Sequence, residues 1–134
     1  MKVVLDTNIY VSAFVFPGSQ AESALTRIVG GADRLIISKA IVHEILDVLS
    51  SKFARDADEL ARVAVFLNDL AETVRPRGRI RLLQDEPDNR ILECARTGGA
   101  QAIVTGDRAM LRLRRFDEIP ILSLRQYLDR SEHA

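Results

Sequence analysis

Lys2-Val-Val-Leu-Asp-Thr-Asn8, at the start of the chain, is the stretch that decides the fold. Its three consecutive apolar residues, two of them β-branched, are typical of a short strand that is buried on both faces of a sheet. The run stops abruptly at Asp6. In open parallel sheets, ligands bind beyond the carboxyl ends of the strands. Asp6 therefore lies where such a fold has its binding or catalytic residues. The alternative is that Asp6 only caps the helix that follows, as aspartate often does.

Helical and strand patterns alternate along the rest of the chain. The sequence predicts helices over residues 8–16, 19–30, 39–53 and 56–74, over a segment that opens at 84–88, around 110–113, and over 124–130. It predicts strands over 34–38, within 102–107 and over 120–123. It also predicts a short edge strand within 75–83, where Pro76 and Gly78 indicate that the segment is irregular at first. This alternation is typical of an α/β fold, a three-layer α/β/α sandwich with a mostly parallel central sheet. The length of 134 residues suits a single domain over residues 1–134.

The composition is that of an ordinary globular protein. No apolar run approaches the roughly 20 residues needed to span a bilayer, and the N-terminus lacks a signal-like segment. We therefore expect a cytoplasmic protein with no membrane contact. The one cysteine, Cys94, has no His or Cys neighbours at metal-binding spacing, so we predict that it lies in the core.

Arginines are the most informative part of the charge distribution. The 19 basic and 19 acidic residues cancel, so the net charge does not indicate nucleic-acid binding. Sixteen of the basic residues, however, are arginines, whose side chain suits bidentate contact with phosphate. Two groups of them stand out: Arg75, Arg77, Arg79 and Arg81 in one segment, and Arg108, Arg112, Arg114 and Arg115 in another. They form either a phosphate-binding rim or a solvated face that provides solubility.

Three further acids occupy positions comparable to that of Asp6. Glu44 lies at the edge of the apolar stripe of the helix over 39–53, where a charge is costly unless it is paired or bound to a metal. Asp88 falls on the inward face of its helix, although an acid in the first turn also suits the helix dipole. Asp107 follows a strand, as Asp6 does, and can equally be the cap of the next helix.

Carboxylates that are brought together without a counter-charge repel one another, and their pKa values rise unless a cation compensates. Mg²⁺ or Mn²⁺ fits an all-carboxylate site that retains water molecules. The sequence lacks the histidine and cysteine set that would indicate zinc. His43 falls toward solvent on its helix, and we predict that it is a surface residue.

Four segments of the chain resemble the PIN-domain nucleases, and more particularly the PIN-domain toxins of bacterial and archaeal toxin–antitoxin pairs. The matching segments are Val4-Leu-Asp-Thr-Asn8, Ser38 through Glu44, Asp88-Asn-Arg-Ile-Leu-Glu-Cys-Ala95 and Ile103-Val-Thr-Gly-Asp107. The resemblance implies an acidic quartet and two polar supports: Asp6, Glu44, Asp88 and Asp107, with Asn8 and Thr105. Asp85 and Glu86 lie close to the third position, and the helical phase favours Asp88 over both.

The resemblance implies metal-assisted hydrolysis of RNA phosphodiester bonds by an endoribonuclease. One or two Mg²⁺ or Mn²⁺ ions would be bound directly by Asp6 and Asp88. Glu44 would act as a ligand or through a metal-bound water, and Asp107 largely through groups that contact the metal. The same resemblance implies an antitoxin protein as a partner. We also expect a dimer of this chain.

Two other functions agree with parts of the pattern. Phosphatases of the haloacid-dehalogenase type also use an aspartate after the first strand, but here the residue two positions after Asp6 is Asn8. These phosphatases also need a phosphate-binding lysine after that aspartate. The only lysines that follow Asp6 in this sequence are Lys39 and Lys52. The second alternative is a PIN-like fold that only binds RNA or a protein, against which four inward carboxylates argue. Apolar faces over 19–30 and 56–74 either accept a partner or pack on the sheet.

Overall fold

A parallel sheet between layers of helices is the framework of residues 1–132, the part of the chain that the computed structural model describes. Its strands are β1 (Lys2–Leu5), β2 (Arg34–Ser38), β3 (Glu72–Val74), β4 (Ala102–Val104), β5 (Arg115–Phe116) and β6 (Ile119–Leu122). Its helices are α1 (Thr7–Val15), α2 (Gln20–Val29), α3 (Lys39–Phe53), α4 (Ala57–Leu70), α5 (Glu86–Gly98), α6 (Arg108–Leu113) and α7 (Leu124–Glu132). The strand order is β3-β2-β1-β4-β6-β5, and every neighbouring pair is parallel except β5 with β6. The predicted α/β sandwich with a mostly parallel sheet is confirmed.

β1 is the central strand of this sheet. It pairs with β2 on one side and β4 on the other, with Val3 opposite Leu35 and Ala102. The three apolar residues of β1 are fully buried, as expected for a strand that is covered on both faces. Burying each such side chain stabilises the fold by about 1.5–3 kcal/mol. The opening stretch therefore fixes the centre of the sheet.

The carboxyl ends of the parallel strands meet at one edge of the sheet. β1 ends there at Leu5 and is followed by Asp6, and β4 ends at Val104 and is followed by Thr105. β2 ends there at Ser38, which is buried and caps α3 by accepting a hydrogen bond from the amide of Ile41 at 3.4 Å. The sequence predicts the functional residues at this edge.

The helix predicted over 56–74 is shorter, and the prediction is wrong after residue 70. α4 ends at Leu70, Ala71 is extended (φ −101, ψ 152), and β3 pairs in parallel with β2. Thr73 and Val74 are β-branched and favour a strand, and pairing with the sheet overrides the helical pattern. The edge strand predicted within 75–83 is also wrong, because residues 75–85 form an irregular segment that leads to α5.

The last strand is part of a hairpin that the sequence pattern does not predict. β5 and β6 are antiparallel, with Phe116 opposite Ile119, so β6 begins one residue earlier than expected. The turn residues Asp117 and Glu118 have φ values of 50 and 65, which are typical of a type I′ turn. Neither is glycine or asparagine, the usual signals for such a turn.

The helix surfaces agree with the sequence analysis in most respects. Ser19 caps α2 by accepting a hydrogen bond from the amide of Glu22 at 3.1 Å. Cys94 is buried and His43 is exposed, as predicted.

Val65 on α4 is 61% exposed, so part of the apolar surface of that helix does face outward. None of the helices within residues 1–132 has the length and hydropathy needed to cross a membrane.

Candidate active site

Asp6 is held at the carboxyl edge of the sheet by a side chain from another strand. It is 4% exposed and occupies the N-cap position of α1, but its side chain forms no capping hydrogen bond. Its Oδ2 instead accepts a hydrogen bond of 2.7 Å from Oγ1 of Thr105. Burial raises the pKa of the Asp6 carboxyl, while the Thr105 hydroxyl and the nearby amide of Asn8 oppose that rise. Asp6 therefore stands at the cap position of α1, while the hydrogen bond of its side chain goes to Thr105 and not to the helix.

Thr105 connects Asp6 with Asp107. The fully buried Thr105 hydroxyl donates to Asp6 and accepts a hydrogen bond of 3.0 Å from the amide of Asp107. Oδ2 of Asp107 accepts a hydrogen bond of 2.9 Å from the amide of Met110 and so caps α6. Asp107 therefore fulfils the alternative role of a cap. Its charge also raises the pKa of Asp6, so it is close enough to act on the same site.

Asp88 lies in the first turn of α5 and is 6% exposed, so its predicted inward direction is confirmed. Its Oδ2 has no hydrogen-bond partner within residues 1–132. Burial, followed by the charges of Asp6, Asp85 and Asp107, raises the pKa of Asp88 to about 7. An ionised Asp88 thus lacks a donor at Oδ2, and a bound cation would compensate that charge.

Glu44 belongs to a cleft that adjoins these aspartates. The cleft has a volume of about 180 Å³ and is lined by Thr7, Ala40, Ile41, Glu44, Glu86, Pro87 and Arg90. Thr7 follows Asp6 and Pro87 precedes Asp88, so two of the lining residues are chain neighbours of the buried acids. The structure therefore brings Asp6, Asp88 and Asp107 together and places the half-buried Glu44 in the adjoining cleft.

The remaining predicted residues lie around this group. Asn8 is exposed in the first turn of α1. Asp85 is exposed at the N-cap of α5 without a capping hydrogen bond, and Glu86 is exposed and pairs with Arg90 at 3.3 Å. Within residues 1–132, no three His, Cys, Asp or Glu side chains are grouped so as to hold a metal ion. The aspartates are neighbours whose charges interact, and they do not form a ready coordination sphere.

Three polar residues of α5 that the sequence analysis does not single out support the site. Asn89 is fully buried and binds both the amide and the carbonyl of Leu83, each at 2.8 Å. Oε2 of Glu93 accepts a hydrogen bond from the amide of Ile80 and pairs with Arg90, each at 2.8 Å. The i, i+3 spacing of Arg90 and Glu93 signals their ion pair. Nothing in the sequence pattern indicates their contacts with the irregular segment.

Two solved structures have a similar fold. The crystal structure of VapBC2 from Rickettsia felis bound to a DNA fragment from their promoter gives a TM-score of 0.63 at 15% identity, over 92% of this chain and 98% of that one. The structure of VapBC-1 from nontypeable Haemophilus influenzae also gives a TM-score of 0.63 at 15% identity, over 93% of this chain and 99% of that one. These likenesses show the fold.

Sequence comparison agrees with the structural comparison. An uncharacterized protein of Methanocaldococcus jannaschii is 25% identical over 118 residues, which are 85% of this chain and 76% of that protein. The family model of the PIN domain matches residues 2–109, a span that includes every predicted site residue. The chain therefore belongs to the PIN-domain family.

Proposed function

We propose that this protein is a metal-dependent endoribonuclease that hydrolyses RNA phosphodiester bonds, and that it acts as the toxin of a toxin–antitoxin pair. The observation that carries the proposal is the buried carboxylate of Asp88. Its Oδ2 has no hydrogen-bond partner within the described residues, and the charges of Asp6 and Asp107 act on it. Carboxylates in this arrangement suit a divalent cation. Membership of the PIN-domain family supports a nuclease reaction.

The donor set fits Mg²⁺ or Mn²⁺, because the neighbouring side chains are carboxylates. Asp6 and Asp88 would hold the ion, Glu44 would assist from the cleft, and Asp107 would act indirectly. A bound divalent ion supplies positive charge at the scissile phosphate and lowers the pKa of a bound water.

The chain's own groups orient the acids for this role. Thr105 fixes one carboxylate oxygen of Asp6 through its hydrogen bond of 2.7 Å. The amide of Asp107 in turn orients the Thr105 hydroxyl. Because Asp6 and Asp88 are both nearly buried, water reaches their carboxylates from few directions.

The biological setting follows from the resemblance to PIN-domain toxins. We propose an antitoxin protein as the partner, a dimer of this chain, a cytoplasmic location and a single PIN-like domain over residues 1–134. The two similar structures are both named for VapBC, a likeness that supports a toxin–antitoxin setting.

Calorimetric titration with Mn²⁺, followed by incubation of the same samples with mixed-sequence single-stranded RNA, tests the function. We expect wild-type protein to bind the metal and cleave the RNA, and Asp6→Asn/Asp88→Asn to do neither. Asp47→Asn/Asp69→Asn is the matched control, because it makes the same chemical change at two exposed aspartates on α3 and α4. This control should bind and cleave as wild type does.

Each other outcome changes the proposal. Metal binding without cleavage of any RNA would favour a non-catalytic PIN-like binding domain. Absence of metal binding would remove the basis for a metal-dependent enzyme. Cleavage that persists in Asp6→Asn/Asp88→Asn would place the chemistry outside these acids.

A further inference from the structure

The irregular segment between β3 and α5 carries concentrated positive charge. Arg75, Arg77, Arg79 and Arg81, which we call the arginine segment, are all exposed. None of the four forms an ion pair with another residue from 1 to 130, whereas Arg55, Arg90, Arg96, Arg115 and Arg125 each pair with an acid. Like charges this close repel one another, and a polyanion would relieve that repulsion.

The topology of the sheet brings the arginine segment to the edge that holds the aspartates. β3, β2 and β1 are parallel, so Val74 ends β3 at the same edge at which β1 leads into Asp6. Only β2 lies between β3 and β1, which places those strands about 10 Å apart. The irregular segment starts at this edge with Arg75 and leads to α5, whose first turn carries Asp88.

Side chains of α5 hold the backbone of the segment in place. The amide of Ile80 donates to Oε2 of Glu93 at 2.8 Å, and its carbonyl accepts a hydrogen bond from Arg90 at 3.2 Å. Ile80 itself is buried, at 9% exposed. Arg79 and Arg81 flank this anchored residue, so their backbone is fixed to the helix that carries Asp88.

We propose that the arginine segment binds the phosphate backbone of the RNA strand beside the scissile bond. This inference rests on the proposed function, because it assigns where the substrate of that site lies. Alternate residues along a chain are up to about 7 Å apart, so neighbouring arginines of the segment can contact different phosphates. Contacts to phosphates position a strand without reading its bases. The segment therefore contributes affinity and register, and base preference arises elsewhere.

The salt dependence of RNA binding tests the proposal. The measurement is fluorescence anisotropy of a labelled, mixed-sequence single-stranded RNA of roughly 20 nucleotides over a series of NaCl concentrations. All samples carry Asp88→Asn, which prevents cleavage. Each phosphate contact on a single strand contributes about 0.7 to the slope of log K against log salt concentration. We expect Arg77→Gln/Arg79→Gln to lower that slope by about 1.4 and to weaken binding at low salt.

Arg34→Gln/Arg62→Gln is the matched control because it removes the same charge elsewhere. Arg34 begins β2 at the opposite edge of the sheet, and Arg62 is exposed on α4. Neither forms an ion pair with any side chain described between residues 1 and 130. The slope for this control should stay near that of the Asp88→Asn parent, and both double variants should unfold at the parent's temperature.

The outcomes separate this inference from the function on which it rests. RNA binding with equal slopes in the two double variants would overturn the role of the arginine segment and leave the nuclease proposal standing. Absence of RNA binding by the parent, and by wild-type protein without metal, would overturn both.

Discussion

Asp88 has a buried carboxyl oxygen without a hydrogen-bond donor in the candidate active site. Its Oδ2 lacks a donor within residues 1–132, and burial together with three aspartates raises its pKa to about 7. The pKa of an unfolded aspartate is about 3.9. Between these two values the folded protein keeps a proton that the unfolded chain has released. This bound proton makes its full contribution to the free energy of unfolding below pH 4. The contribution is lost as the pH rises to 7.

We therefore expect Asp88→Asn to become more stable relative to wild type as the pH rises, in metal-free buffer. The variant lacks the titration, so the difference between the two free energies of unfolding should change by roughly 2–4 kcal/mol between about pH 4 and pH 7. Urea unfolding with a chelator present, at several pH values, measures this difference. A difference that stays constant across this range would show that the titration of Asp88 does not change the free energy of unfolding.

The sequence predicts individual residues well where the signal is local. The ends of β1 and β4 and the helical phase of α5 are local patterns, and they place Asp6, Asp107 and Asp88 in one region of the structure. The hydrogen bond from Thr105 to Asp6 joins residues 99 positions apart, and no local pattern predicts it. The family resemblance implied only that Thr105 is a polar support of the site. The contact of Glu93 with the amide of Ile80 involves an irregular segment, where no periodic pattern predicts it. The catalytic roles of the four acids stay predictions.

At the level of elements, the packing of α5 on β2 determines where Asp88 lies. The two elements approach closely at Gly98, the last residue of α5, because a Cβ at this position would overlap Cγ2 of Ile36. Ile36 is fully buried and β-branched, so its side chain has few other positions available. Only glycine therefore allows this approach of helix and strand.

We expect Gly98→Ala to lower the free energy of unfolding by about 1–3 kcal/mol, because overpacking outweighs the better helix propensity of alanine. Gly30→Ala is the matched control at the end of α2, where a Cβ would meet its nearest atoms at an ordinary 3.5 Å. Its stability should stay within about 0.5 kcal/mol of wild type. Urea denaturation at neutral pH compares the two. Equal stability of both variants would mean that α5 can move away from β2 without loss.

The errors in the predicted elements occur where tertiary pairing decides the structure. The apolar spacing of α4 continues to Val74, yet residues 72–74 pair with β2 because an open position beside that strand is available. No local pattern reveals that position, since it depends on the order of strands in the sheet. The β5–β6 hairpin is missed for a different reason, because its turn uses Asp117 and Glu118.

Across the whole molecule, the fold class is the property that the sequence predicts most completely. Alternating strands and helices leave few possible arrangements, and the central position of β1 follows from its burial on both faces.

Metal binding affects the stability of the whole molecule. A ligand that binds only the folded state stabilises it by about 2.7 kcal/mol at a concentration 100 times its Kd.

We expect Mn²⁺ or Mg²⁺ to raise the melting temperature of the wild-type protein at pH 8. The rise should be smaller at pH 5, because burial and nearby charges hold the pKa of Asp88 at about 7 and the carboxyl is then protonated. Differential scanning calorimetry at both pH values, with and without metal, measures the effect. A rise of the same size in Asp6→Asn/Asp88→Asn would assign the stabilisation to another part of the protein.

The two outer strands of the sheet limit how this molecule can assemble. β3 has three residues and β5 has two, so each outer edge offers few backbone donors and acceptors to an incoming strand. Short outer strands are a common protection against edge-to-edge aggregation. Growth of the sheet across a boundary between molecules is therefore disfavoured at both ends. The helices and irregular segments, and not the edges of the sheet, therefore offer the larger surface for contact with another molecule.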